Sequence, residues 1–396
     1  NLKIPLLIGG ATTSKVHTAV KITPNYDGPV IYVPDASRAV TVAEKMLGSD
    51  SKSYHDTVLE EYERIRTHHE LHNATKRMVP IEMARKNKLT LDFSKDTIVK
   101  PAQLGVFDGK IDVETLIPYI DWSPFFRSWD LHGKYPEILS DSVVGVEATK
   151  LLDDAKACLS DGIKNEWFHP AYVYGIFSAN AVGDDIEIYD ETTHQLIHRS
   201  IGLRQQIEKT SGQFNLCLSD YIAPKESGIA DYIGCFAVTS GDVTDVCKQF
   251  EAAHDDYTSI MIKAVADRLA EALAEWLHER VRHTHWGYDK TSLKNEELIA
   301  EKYKGIRPAP GYPACPDHYE KLGIFQVLNA TERIGVTLTE SLAMHPASSV
   351  SGWYFAHPSA KYFGITAILE DQFLSVCERR NVNKDKHIAW FPFMKK

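Results

Sequence analysis

The chain has 396 residues, 43% of them apolar and 25% charged, with 44 Lys and Arg against 54 Asp and Glu for a net charge of -10. That length buries a substantial core and divides into more than one domain, and the charged and apolar fractions are those of ordinary soluble globular proteins. The negative balance excludes nucleic acid, which needs a concentrated basic face, and suits a basic protein partner.

The six cysteines, at 158, 217, 235, 247, 315 and 377, show neither C-x-x-C pairing nor framework spacing. A reducing, cytoplasmic setting is therefore expected, without a zinc site or a disulfide scaffold. No apolar run approaches the roughly 18 residues of a membrane span, and the N-terminus lacks the features of a signal peptide. The start at Asn1, without Met and inside a strand-like run, implies a piece cut from a longer polypeptide.

In chain order, Ile4 to Ile8 is a short apolar run ending in Gly9-Gly10, and Val30 to Val33 is a second. Thr13 to Ile22 between them has helical spacing, which makes one strand–helix–strand unit of a parallel α/β sheet. Such a unit needs neighbours at its edges, so upstream sequence would normally complete it. Ala39 to Leu47 reads as a closing helix. Residues 51 to 90 are dense in charge, with Tyr54, Val58, Tyr62 and Ile65 near helical spacing, the pattern of a helical connector with a solvated face. The domain boundary falls around Lys76 to Lys95.

Beyond it, β-like runs at Val173–Phe177, Ile186–Tyr189 and Tyr232–Val238 alternate with helices, including a long one from about Asp256 to Arg282. This irregular order predicts an α+β domain rather than a doubly wound sheet. Gly183-Asp184-Asp185 reads as a turn between strands.

Two features carry chemistry. Arg307-Pro-Ala-Pro-Gly-Tyr-Pro-Ala-Cys-Pro316 holds four prolines and a glycine in ten residues, which excludes helix and central strand and fixes an irregular path. A rigid path bearing an Arg, a Tyr and carbonyls beside prolines suits a small polar ligand, although a proline-rich surface turn would look the same. In the long helix, Asp267, Glu271, Glu275 and Glu279 recur every four residues and share a face. Their mutual repulsion, roughly 0.2 to 0.5 kcal/mol per pair, is relieved by water or by a facing cation. Two metal-like motifs fail: His278-Glu-Arg-Val-Arg282 lacks the second His at i+4, and Asp130-Leu-His132 has Tyr135 where an Asp-x-His-x-x-Gly loop needs Gly.

Glu301-Lys-Tyr-Lys-Gly-Ile-Arg-Pro-Ala-Pro-Gly-Tyr-Pro-Ala-Cys-Pro-Asp-His318 resembles the S-adenosylmethionine-binding segment of the activation domain in the cobalamin-dependent methionine synthase family. The resemblance extends in the family's order through Asp121-Trp-Ser-Pro-Phe-Phe126, Gly133-Lys-Tyr-Pro136, Asn180-Ala-Val-Gly-Asp-Asp-Ile-Glu-Ile-Tyr189, Leu218-Ser-Asp-Tyr-Ile-Ala-Pro224, Asp267-Arg-Leu-Ala-Glu-Ala272 and Ser351-Gly-Trp-Tyr-Phe355. Pro5 to Ser14 and Val30 to Arg38 resemble the closing strands and loops of the same enzyme's cobalamin domain.

The resemblance implies residues 1–50 as a remnant of a Rossmann-like cobalamin domain and 51–80 as a helical connector. It implies 81–396 as an α+β activation domain with a mainly antiparallel sheet and flanking helices. It implies a methyltransferase as the full enzyme, moving methyl from methyltetrahydrofolate through cobalamin to homocysteine, with S-adenosylmethionine serving reductive reactivation. Arg307 then clamps the ligand carboxylate and Asp121 accepts from its amino groups. The Ala309 backbone serves the adenine, and Tyr312, Tyr362 and Phe363 give aromatic contacts; Gly364-Ile365 after that pair departs from the family's Ala-Val. Glu301 and Glu271, with Glu275 as the weaker candidate, face the sulfonium, which has no proton to donate and is held by field alone. Gly9, Gly10, Thr13 and Ala36 match the cobalamin wall; the cobalt ligand lies upstream, and zinc belongs to the homocysteine domain.

The implied partners are the cobalamin domain of the same polypeptide and a flavin-containing electron donor of the flavodoxin or methionine synthase reductase type. Alternatives are a binding module without turnover in isolation and a free-standing S-adenosylmethionine-dependent methyltransferase whose glycine loop is Gly9-Gly10.

Overall fold

The computed structural model describes residues 4–9, 14–33, 36–48, 51–74, 77–94 and 97–395. Two compact units are distinguished: residues 1–77 with 123–148, and residues 78–122 with 149–396.

In the first unit, strands β1 (Leu6–Gly9) and β2 (Val30–Val33) pair in parallel, Leu6 opposite Val30 and Gly9 opposite Val33. Residues 15–25 between them are helical, with Ser14 Oγ capping Lys15–His17, a π turn over Thr18–Ile22 and a 3-10 turn over Thr23–Asn25. Helices α1 (Ala36–Leu47) and α2 (Ser51–Ala74) follow. Ala19, Ile31, Met46, Val58 and Tyr62 form the core here. Tyr62 Oη accepts from the Tyr32 amide at 2.7 Å, tying α2 to β2. Around Phe125 and Phe126, both buried, the chain is turned by the Tyr135 amide donating to Ser123 Oγ at 3.1 Å.

The second unit starts with α3 (Ile81–Lys86) and is built on six antiparallel strands: β3 (Gly105–Lys110), β4 (Ala171–Val182), β5 (Asp185–Tyr189), β6 (Leu196–Ser200), β7 (Asp231–Thr239) and β8 (Ser349–Tyr354). Helices α4 (Gly145–Lys164), α5 (Thr244–Ala252), α6 (Asp256–Arg280), α7 (Glu320–Leu328) and α8 (Glu370–Arg380) interleave with them. The order is β8-β7-β4-β5-β6, with β3 on the first half of β4 beside β5 on its second half. Gly183, at φ +64°, turns β4 into β5, the turn expected from Gly183-Asp184-Asp185.

Side-chain alternation explains the two covered faces. Val173, Phe177, Cys235, Ala237, Trp353 and Phe355 pack with Ile324, Phe325 and Leu328 of α7. Their neighbours Phe236 and Tyr354 stack on the opposite face, where Tyr354 meets His278 of α6. Asp255 caps α6 by accepting from the Thr258 amide at 3.0 Å. Ala266, Ala270 and Ala274, all buried, give this helix a narrow side that comes close to the sheet. Beyond Arg280 the helix continues as a π turn over Val281–His285. Among the described residues no helix is long and apolar enough to cross a membrane, and all six cysteines are buried free thiols.

Candidate ligand-binding cleft

The proline-rich segment runs beside the free edge of the sheet at the end of β8. Ile306 and Phe355 exchange backbone hydrogen bonds at 3.0 and 2.9 Å, and the Trp353 amide donates to Pro308 O at 2.9 Å. This close approach depends on glycine twice. A Cβ on Gly305, which sits at φ +80°, would lie 2.5 Å from Phe355 O, and one on Gly352 would lie 2.8 Å from Pro308 O. Past that point the Tyr312 amide donates to Ala309 O at 3.1 Å, the Gly311 amide to Cys315 O at 2.7 Å, and the Ile365 amide to Pro313 O at 2.8 Å. Asp317 closes the segment by pairing with Arg380 of α8 at 2.5 Å. No regular element forms, yet nearly every turn is pinned.

Arg307 points from this segment onto α6. Its Nη2 donates to Glu275 Oε2 at 2.6 Å, with side-chain exposures of only 19% and 9%. Burial works against the guanidinium charge, but Glu275, then Tyr303, Tyr362 and Glu271, outweigh it and hold the pKa well above the ordinary Arg value. Tyr362 Oη accepts from the Arg307 amide at 3.0 Å. Glu301, at φ +54°, has a carboxyl raised by burial; Arg307 opposes the rise and Glu275 adds to it. Tyr312 is 59% exposed, and its hydroxyl is raised by burial and by the field of Glu271. Arg307, Glu271, Glu275, Glu301, Tyr312 and Tyr362 thus converge.

The other expected residues are placed as follows. Ala309 contributes its carbonyl to the turn at Tyr312. Phe363 packs against the Tyr221 ring, 6.5 Å between centroids, and joins the two cores of this unit, so of the aromatic pair it is Tyr362 that meets Arg307. Asp121 is half-buried in the loop after Ile120. That loop is fastened to α6 one turn beyond Glu275, where Tyr119 Oη donates to Glu279 Oε2 at 2.5 Å. Asp267, the outermost acid of the stripe, accepts from Ser348 Oγ at 2.6 Å. The stripe therefore runs from an exposed Asp267 to a buried Glu275, with Glu271 and Glu279 half-buried, so protein covers only part of it. Gly9 is placed by packing, because a Cβ there would come 2.5 Å from Val33 O. Gly10 and Thr13 lie outside the described residues, and of Ala36 only the backbone, as the first residue of α1, is described.

Sequence reasoning missed what stands behind Arg307. His278 Nε2 lies 3.0 Å from Tyr288 Oη, and burial followed by the fields of Arg307 and Arg282 pushes its pKa well below the ordinary value, so the ring is neutral. Arg282 is wholly buried, 4.4 Å under the Tyr303 ring and 3.7 Å from Asp289, whose other bonds include one from the Lys304 amide at 2.9 Å. The signal was present: positions 271, 275, 278 and 282 repeat at helical 4-3-4 spacing, the inward seam of a helix, and here that seam is polar.

A helix-covered antiparallel sheet whose edge carries a buried guanidinium–carboxylate pair beside two tyrosines makes this an α+β domain with a candidate small-molecule site. Residues 112–381 match the family model described as vitamin B12 dependent methionine synthase, activation domain. A crystal structure of the MetH reactivation domain bound to AdoHcy is similar at a TM-score of 0.78 and 51% identity, covering 81% of this chain and 99% of that one. The chain belongs to the family of vitamin B12-dependent methionine synthase activation domains.

Proposed function

We propose that the cleft binds S-adenosylmethionine and that the chain serves the reactivation of a cobalamin-dependent methionine synthase, a cytoplasmic methyltransferase. The observation that carries this reading is the convergence of one buried Arg with three carboxylates and two tyrosines on a rigid segment. Arg307 Nε and Glu275 Oε1 are buried without a hydrogen-bond partner, a donor and an acceptor side by side, which fits the carboxylate and ammonium of an amino-acid head group. Glu271 and Glu301 supply negative field for a sulfonium, and Tyr312 and Tyr362 supply aromatic faces. Asp121 would accept from the ligand's amino groups and the Ala309 backbone would meet the adenine. The ligand supplies an activated methyl group. The chain's residues hold and orient it, and no general base is asked of them.

Gly9, Gly10, Thr13 and Ala36 would lie on the cobalamin side of the chain; of these, Gly9 sits where a Cβ would come 2.5 Å from Val33 O. The reading implies docking to a cobalamin domain of the same polypeptide and to a flavin-containing electron donor, for which the acidic charge suits a basic surface. Calorimetric titration of the chain with S-adenosylmethionine tests it, with Arg307→Ala and Asp121→Asn alongside. One-site binding lost or weakened at least tenfold in both variants is expected; a folded wild-type chain that takes up no ligand would overturn the reading.

A further inference from the structure

Resting on that reading, we propose that Glu275 is a specificity-determining residue: it neutralises Arg307 in advance, so that the cleft selects a carboxylate-bearing ligand that is also positively charged. Three observations lead there. First, the Arg307–Glu275 pair is almost withdrawn from water, and at 2.6 Å its two charges largely cancel at a distance. The charges left in the cleft are then Glu271 and Glu301, with Arg268 acting on its Tyr312 side, two carboxylates against one cation.

Second, Glu275 is fixed by its place in the fold. It sits on the buried side of α6 between Glu271 and His278, and His278 is neutral, bonded to Tyr288 and stacked on Tyr354 at 5.2 Å. Arg282, the next cation along that seam, is engaged by Asp289 and the Tyr303 ring. Among the described residues Glu275 therefore has one cationic partner, Arg307, and that partner has one short carboxylate contact, Glu275. Third, the pair is monodentate: Arg307 Nε and Glu275 Oε1 stay unpartnered. A head group with both signs of charge can add to the pair without breaking it, whereas a lone carboxylate would leave Oε1 unsatisfied and would meet an Arg already neutralised.

Remove the Glu275 charge and Arg307 becomes a net cation facing the ligand. Its attraction for carboxylate rises, and its repulsion of a sulfonium appears. S-adenosylmethionine and S-adenosylhomocysteine share the head group and differ in that one charge, so their affinity ratio isolates the effect.

The test is titration of the wild-type chain, Glu275→Gln and Glu275→Asp with S-adenosylmethionine, S-adenosylhomocysteine and 5′-methylthioadenosine, with far-UV circular dichroism as a check of folding. Glu275→Gln is expected to lower the preference for the sulfonium over the thioether about five- to tenfold, the scale of one charge acting across a partly buried cleft. Methylthioadenosine, which lacks the head group, should bind the two alike, and Glu275→Asp should restore most of the preference. A residue with a merely structural role would weaken all three ligands together and leave the ratio unchanged, and that outcome overturns the inference. Loss of every ligand by the wild-type chain would instead overturn the reading beneath it, and this inference with it.

Discussion

Single residues in this fold carry charge into places that water does not reach. Arg204 is the extreme case, 1% exposed, donating to Asp184 at 2.7 Å and to both oxygens of Asp220 at 2.8 and 2.7 Å. Removing one partner of such a group leaves an uncompensated buried charge, which is far costlier than never having had the pair. Asp231 is the opposite case, with two backbone amides, Ala223 and Tyr232, donating to it at 2.8 and 2.7 Å but no cation beside it among the described residues. Burial dominates, and its carboxyl is pushed from 3.8 up to about 6. Below about pH 4 the group is protonated folded or unfolded and costs nothing. As pH rises, the unfolded chain releases the proton first, so the folded state loses stability, by roughly 3 kcal/mol once pH exceeds the folded pKa. Asp231→Asn cannot ionise. Urea unfolding at pH 4 and pH 7 should show the variant gaining on the wild type by roughly that amount between the two, whatever constant offset the lost acceptor adds; a pH-independent difference would refute the assignment. None of this was legible in the sequence, where Asp184, Asp220 and Asp231 look like the acids of turns and strand ends. Their burial is decided by which strands meet, and spacing alone does not report it.

At the scale of elements, periodicity was a good guide where one element makes its own pattern. The long helix, the runs inside β4, β5 and β7, and the irregular path of the proline-rich segment all follow from local rules. The acidic stripe is where that reasoning ran short, because the same spacing serves a solvated face and a face covered by another segment. Here Arg307 and Tyr119 cover Glu275 and Glu279 from 32 and 160 residues away in the chain, while Asp267 accepts from Ser348, 81 residues away, and stays exposed. Only tertiary contact distinguishes the cases. The junction of strand β8 with the ligand segment gives the sharpest check. An alanine at Gly352 would press its methyl group 2.8 Å from Pro308 O and 2.9 Å from the Phe236 ring, and the carbonyl, being backbone, cannot rotate away. Gly352→Ala should destabilise the domain by about 1 to 3 kcal/mol through overpacking. By displacing Pro308 it should also move Arg307 and weaken S-adenosylmethionine binding at least threefold, a loss of about 0.7 kcal/mol or more. Denaturant unfolding reads the first effect and titration at a temperature where the variant is folded reads the second. Unchanged affinity in a destabilised variant would mean that the segment's position is not set by β8.

At the scale of the whole molecule, the family resemblance and the division into units bear on the same question, which is how much chain the cleft requires. Every strand of the six-stranded sheet, the helix bearing Glu271 and Glu275, and the segment bearing Arg307 lie beyond Met78. The similar MetH domain is matched over 99% of its length by 81% of this chain, so a relative of that size forms a ligand-bound domain without counterparts to the remainder. Cooperative folding of the second unit also has the means to proceed alone, since its sheet is antiparallel and its two faces are covered by its own helices. The alternative of a free-standing methyltransferase would instead put the methyl donor at Gly9-Gly10, in the first unit, where a glycine loop after a strand would hold it. The two readings separate on one truncation. A chain beginning at Met78 should bind S-adenosylmethionine within about twofold of the full chain, because a change of twofold is only about 0.4 kcal/mol and no residue named in the cleft is removed. Loss of binding by a truncated chain that keeps its circular dichroism and a cooperative melt would place ligand contacts before residue 78 and return Gly9 and its neighbours to the site. Binding retained together with sensitivity to Arg307→Ala in the truncated chain would confine the function to residues 78–396.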